Sequence, residues 1–257
     1  MMKFSLKAIC LGLGMMVTLS VPSVFASDFP SWDGLLKKYV APKTINGVTL
    51  QAVDYKSLGD DPVYTKLIKD LETTSLSILK TREEKLTFWI NVYNILAAKM
   101  VLDHYPVKSI KDAGSFFTGV WKKDVGIVAG KMRTLNEIEH EILRKMDEPR
   151  IHVAIVCASV SCPDLRAESY TVENLDSQLD NQLTLFLMNT EKGLRIDKKN
   201  GRVYLSSIFK WFKEDFESKG GVRNYLARYA PEAARAPLQN HTLNVHYLDY
   251  DWELNEQ

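Results

Sequence analysis

Apolar and polar positions change period several times along the 257-residue chain, and each change marks an element. Over residues 28–40, Trp32, Leu35, Leu36 and Tyr39 recur at helical spacing and predict a short amphipathic helix. KTINGVTLQAVDY follows, with β-favouring residues on both sides of an Asn46-Gly47 turn. DDPVYTKLIKDLETTSL opens on Asp then Pro, a helix start, with Val63, Leu67 and Leu71 expected on its buried face. Residues 82–103 predict a long helix that stops before Pro106 and is apolar almost all round, which implies burial on several sides. One polar stripe interrupts it: Thr87, Asn91, Asn94 and Ala98 fall at i, i+4, i+7 and i+11. Two buried amides must find partners, because each left unpaired costs ~1–3 kcal/mol. A loop backbone or a polar site would satisfy them.

Further on, residues 120–135 read as a hairpin turning near Gly130, and residues 134–146 as a helix whose Thr134 and Glu137 form a capping box. RIHVAIVC reads as a short buried strand, and 171–188 as a helix. LRIDKKNGRVYLSS is a hairpin turning at Asn200-Gly201. Two short helices follow, and residues 242–254 alternate as a closing strand. Helices outnumber strands and several strands pair in hairpins. This predicts an α+β fold: a mainly helical single domain on a small, largely antiparallel sheet.

The first 26 residues stand apart from this pattern. Lys3 and Lys7 precede an apolar run too short to span a bilayer, which needs ~20 residues, and Val24 and Ala26 offer the small side chains a signal peptidase reads. We expect a secretory signal peptide at 1–26 and one globular domain at 27–257, periplasmic or secreted, with no stable membrane insertion after cleavage. Loss of Lys3 and Lys7 takes the formal charge from +1 to about −1, a balance that argues against nucleic acid as a partner. Cys10 leaves with the leader, so the mature chain holds Cys157 and Cys162. In an oxidising compartment such a pair is a candidate disulfide.

Three side chains carry candidate chemistry near those thiols. Glu139 lies close to the apolar side of its helix, formed by Leu135, Ile138, Ile142, Leu143 and Met146. A carboxylate there must be protonated, paired or bound. His140 is expected to face solvent. In a regular strand His152 and Cys157 would point to opposite faces, while Cys162, beyond the Ala158–Ser161 turn and before Pro163, can fold back toward either. Three readings follow. A Cys157–Cys162 disulfide closes a loop so short that it adds only ~2 kcal/mol. A thiol enzyme would use one cysteine as nucleophile, His152 as base and Glu139 or an asparagine to orient it. Zinc would take both cysteines with His152 and His140, but the C-x4-C spacing is loose for that. No metal or cofactor is called for. Asp124, Asp249, Asp251 and His246 show no spacing that selects them, and the motifs of other common enzyme classes are absent.

FWINVYNILA, LNEIEHEILR, RIHVAIVCASVSCPDLR and the closing YDWELN together resemble the bacterial and plant family called domain of unknown function 547. The resemblance covers roughly 82–216 and the last strand, with 28–80 as an N-terminal helical extension. It emphasises Trp89, Asn91, Asn94, Glu139, His140, His152, Cys157, Ser161, Cys162 and Pro163. A buried helix beside a histidine-bearing strand is also distantly similar to papain-like and transglutaminase-like thiol enzymes. The chain departs from them where they keep their nucleophile, since no cysteine opens the FWINVYN helix. The combined expectation is a pocket with Cys162 or Cys157 as nucleophile, His152 and Glu139 as its catalytic partners, and Asn91, Asn94, Trp89 and Ser161 near the substrate. The reaction would be hydrolysis or acyl transfer at an amide, ester or thioester. The alternative is a non-catalytic cell-envelope protein with a structural disulfide. The partner is accordingly an unidentified small molecule or an envelope component.

Overall fold

A computed structural model describes residues 29–114 and 119–257, so the expected signal peptide lies outside the described residues. Its helices and small hairpins form the mixed α+β architecture that the periodicity predicts. The N-terminal part comprises α1 (Pro30–Tyr39), β1 (Val40–Ile45), β2 (Val48–Val53), α2 (Tyr55–Asp60) and α3 (Pro62–Thr73). Asn46 and Gly47 both take positive φ, as the tight β1–β2 turn requires. On α3 the buried face is Tyr64, Leu67 and Leu71, and Val63 is 43 % exposed instead. Asp61 as N-cap and Pro62 at the first helical position start α3 as the Asp-Pro pair predicts, and Tyr64, at i−3 from Leu67 and i−7 from Leu71, takes the place on the buried face expected of Val63.

The central element is α4 (Arg82–Leu102). Thr81 and Glu84 form a reciprocal capping box, and Thr81, not a cysteine, stands at its start. Every residue from Leu86 to Ala98 is buried, because α2, β3, the helical turn Ile110–Ala113 and the helical stretch Glu137–Leu143 all pack around it. Asn91 and Asn94 are satisfied by loop backbone. Asn91 Nδ2 donates to Tyr170 O (2.8 Å) while its Oδ1 accepts from Tyr170 N (3.1 Å). Asn94 Nδ2 donates to Ala154 O (3.0 Å) while Oδ1 accepts from Val156 N (2.9 Å). Each amide thus does for a loop what a neighbouring strand would do.

Hairpin β3 (Asp124–Val128) and β4 (Lys131–Thr134) leads into a π-helical stretch, Glu137–Leu143, where a regular helix was expected. Thr134 Oγ1 accepts from Glu137 N, but the Glu137 carboxylate turns to Lys131 and Arg133, so the capping box is only half made. The expected RIHVAIVC strand is a second correction. Residues Ile151–Ala154 form a single helical turn, α5, followed by extended chain. Its apolar run has no strand to pair with. Pro149 O accepts from His152 N, and the Asn94 amide takes the ladder groups of Ala154 and Val156. Alternation therefore does not separate His152 from Cys157, and the histidine-bearing strand behind the papain-like likeness is missing.

The rest forms a second packed cluster: α6 (Leu175–Met188), β5 (Leu194–Asp197), β6 (Arg202–Leu205), α7 (Ile208–Trp211), α8 (Val222–Ala227), α9 (Glu232–Gln239) and β7 (Asn244–Tyr247). Among the described residues the sheets are three separate small ones, antiparallel except that β7 runs parallel to β6. The closing strand expected over 242–254 is regular only in β7. Beyond it the chain pairs irregularly with the thiol loop: Val160 N donates to Glu253 O (2.8 Å) and Asn255 N to Ala158 O (3.2 Å). Among the described residues no helix is long and apolar enough to cross a membrane.

Candidate active site

A cavity of about 520 Å³ lies where the two packed clusters meet. Tyr93 of α4, Glu139 and His140 of the π-helical stretch, His152 of α5, and both cysteines line one side. Trp211 and Phe212, at the end of α7, and Tyr250 and Trp252, of the closing segment, line the other. The π-helical register matters here. A widened turn brings the consecutive residues Glu139 and His140 to the same cavity, and such turns recur at functional sites. The expectation that His140 faces solvent does not hold.

The thiols meet at the floor. Ala158, at φ 57°, bends the chain, and Cys157 Sγ and Cys162 Sγ stand 2.9 Å apart as free thiols. Cys157 is half-buried and Cys162 only 3 % exposed. Cys157 Sγ also lies 3.3 Å from Ser159 Oγ and 3.2 Å from Tyr250 Oη. The Cys162 hydrogen bond outweighs burial and, with Ser159 and Tyr250, lowers the Cys157 thiol to about pKa 7. Burial, and then its bond to Cys157, push Cys162 well above the usual thiol range. Cys157 therefore ionises first; in the neutral pair its Sγ–H donates to Cys162 Sγ.

His152 belongs to a separate polar network. Its Nε2 donates to Asp215 Oδ2 at 2.7 Å, and its ring stacks on Phe212 with centroids 4.0 Å apart. Arg144 grips the same carboxylate with Nε (2.7 Å) and Nη2 (2.6 Å), and Arg144 Nη1 donates to His140 Nδ1 (2.9 Å). Burial alone would raise Asp215; the Arg144 and His152 bonds outweigh it and hold the carboxylate well below its usual range. Burial lowers His152 despite Asp215, so the ring is neutral near pH 7. A neutral ring that donates from Nε2 keeps its lone pair on Nδ1. Nδ1 is buried and has no hydrogen-bond partner.

Glu139 is 7 % exposed, and burial first, then the charge of Cys157, raise it to about pKa 7. Its hydrogen-bond partner is Tyr93 Oη at 3.4 Å, not His152. Asp215 takes the orienting position that the sequence reading gave to Glu139.

The expected substrate-binding residues sit elsewhere. Asn91 and Asn94 are spent on loop backbone, as described. Trp89 is buried edge-on to Phe88 with the Arg133 guanidinium 5.2 Å above its ring. Ser161 Oγ accepts from Asp251 N (2.9 Å) and ties the closing segment to the thiol loop. None of the four lines the cavity. Among the described residues no three of His, Cys, Asp and Glu converge to hold a metal ion, so the zinc reading finds no ligand set. Asp215, Arg144, Ser159 and Tyr250 were missed. Tyr250 had a signal, the aromatic YDW run near a polar C-terminus, but its contact with Cys157 spans 93 positions.

The family model described as Protein of unknown function, DUF547, matches residues 76–187. This range contains both thiols, Glu139 and His152, but ends before Asp215 and Tyr250, and it is shorter at its C-terminal side than the resemblance suggested. No curated protein and no solved structure matches the chain. Residues 76–187 are a domain of the DUF547 family, whose description assigns no function.

Proposed function

We propose that the chain is an exported thiol-dependent hydrolase or acyl transferase acting on an amide, ester or thioester, with Cys157 as nucleophile. One observation carries this reading: Cys157 Sγ lies in the wall of a cavity with three hydrogen-bonding partners, Cys162, Ser159 and Tyr250. A thiol ionised near neutral pH needs no adjacent base to attack a carbonyl. Cys157 Sγ would bond to the acyl carbon, and the leaving group would take a proton. That proton comes from solvent, and His152 acts as the base in the later activation of water. Asp215 fixes its Nε2, and its Nδ1 is buried and without a hydrogen-bond partner in a residue that lines the same cavity. Glu139, neutral below about pH 7, acts as a hydrogen-bond donor to the bound acyl group. Export rests on the leader pattern of residues 1–26.

The test is acyl-enzyme trapping on the reduced protein with p-nitrophenyl acetate, followed by peptide mapping. The reading expects an acetyl group on Cys157, absent from Cys157→Ser and retained in Cys162→Ser. Acetylation confined to surface lysines would overturn it. A second reading, a non-catalytic envelope protein stapled by a Cys157–Cys162 disulfide, is favoured by one observation, the 2.9 Å sulfur separation. It expects no titratable thiol in protein purified without reductant.

A further inference from the structure

Acyl transfer leaves one nucleophile without a task. Cys162 is buried beneath Cys157, is not needed as a base, and points its sulfur at Cys157 Sγ from 2.9 Å. It also accepts from Cys157 N at 2.9 Å, so its sulfur is held at that spot by backbone. Its loop is fixed from below. Lys192, itself 2 % exposed, donates to Cys162 O (2.9 Å) and to Asp164 Oδ1 (2.6 Å). The closing segment fixes the loop from the other side through Ser161 and Val160. A nucleophile that merely packed would not need a rigid mounting against a second, accessible thiol.

This asymmetry, a half-buried thiol beside a fully buried one 2.9 Å away in the lining of one cavity, is what stepwise thiol–disulfide exchange requires. We propose that Cys157 and Cys162 form a thiol–disulfide exchange couple whose substrate is a low-molecular-weight disulfide, with Cys157 as the attacking sulfur and Cys162 as the resolving one. The activity goes beyond acyl transfer and does not depend on it. The cavity selects the substrate class. Cys157 lines a space of about 520 Å³ together with the partly buried rings of Trp252 and Tyr250, and a small disulfide is of the size that such a space takes.

The steps balance. Cys157 thiolate bonds to one sulfur of the small disulfide, and the other sulfur leaves as a thiolate that takes a proton from solvent. Cys162 then loses its proton and attacks Cys157 Sγ, which breaks the mixed disulfide. The second small thiolate leaves and takes up a proton. Two protein thiols become one disulfide, one small disulfide becomes two small thiols, and two electrons pass from protein to substrate. Return to the dithiol runs the same steps backward with small thiols as reductant.

The experiment equilibrates the reduced full chain with mixtures of oxidised and reduced glutathione and maps the quenched products by mass. The expected result is a Cys157–Cys162 bond whose fraction follows the glutathione ratio reversibly, with little persistent adduct. Cys162→Ser should accumulate a glutathione adduct on Cys157, and Cys157→Ser should form neither. A stable adduct on wild-type Cys157 beside a free Cys162 thiol would overturn the proposal. So would a bond that excess reduced glutathione cannot reopen, which is the behaviour of a structural staple. Normal ester acylation without exchange would remove this inference alone. Exchange without acylation would remove the acyl-transfer reading alone.

Discussion

Tyr250 Oη stands 3.2 Å from Cys157 Sγ although 93 positions separate them along the chain. The same hydroxyl accepts from Ser159 Oγ at 3.3 Å, which leaves its own proton for Cys157 Sγ. The backbone contacts of residues 251–255 with 158–161 hold it there.

Tyr250→Phe should therefore raise the pH midpoint for alkylation of Cys157, because one bond to the thiolate is lost. The fold should lose only about 0.5–1.5 kcal/mol, the net worth of one hydrogen bond. Denaturant unfolding beside an iodoacetamide rate profile checks both. An unchanged midpoint would show that Tyr250 only packs.

Asp215→Asn should disable His152 in catalysis while leaving the Cys157 thiol midpoint where it is. The Asp215 carboxylate holds Nε2, and no bond joins His152 to either sulfur. We expect esterase turnover to fall by ~10²-fold or more, the range for a lost general acid–base. Alkylation kinetics of Cys157 should match wild type. Loss of both together would mean that the variant has lost the site's structure.

Much of this arrangement was open to reading along the chain, and the reasons for the rest are physical. The α4 helix, the Asn46-Gly47 turn and the β5–β6 hairpin are local: period, caps and turn residues decide them. The asymmetry of the Glu139 helix was legible too, since a carboxylate beside Ile138 and Leu143 must be buried. The stretch around His152 was not. Its β-branched run favours a strand, but a strand needs a neighbour, and Asn94 on a distant helix supplies the pairing instead. The π register that turns His140 inward leaves no period to detect in seven residues. Asp215 and Tyr250 act through tertiary contacts across 63 and 93 positions, which no local pattern encodes.

Asn94→Ala should destabilise the fold strongly. It leaves the buried Ala154 carbonyl and Val156 amide without partners, at ~1–3 kcal/mol for each. We expect a total loss of roughly 2–6 kcal/mol, read by chemical denaturation. A substrate-binding role would instead leave stability intact and raise KM.

Glu139 should make stability fall as pH rises. Its folded pKa, about 7, lies above the ordinary carboxyl value, so the native state binds the proton more tightly than the unfolded chain. That stability is fully present below about pH 4.3 and is lost progressively up to about pH 7, by no more than about 4 kcal/mol. Glu139→Gln should flatten this slope in urea unfolding across pH 4–8. An equal slope in both proteins would mean that Glu139 is not held neutral.

The most direct test of the central claim is the pH profile of iodoacetamide alkylation on the fully reduced chain, with the modified cysteine identified by peptide mapping. The expected result is a label on Cys157 with a half-maximal rate near pH 7 and Cys162 modified far more slowly. A first label on Cys162, or a Cys157 midpoint at or above the free-thiol value of about 8.5, would contradict the account.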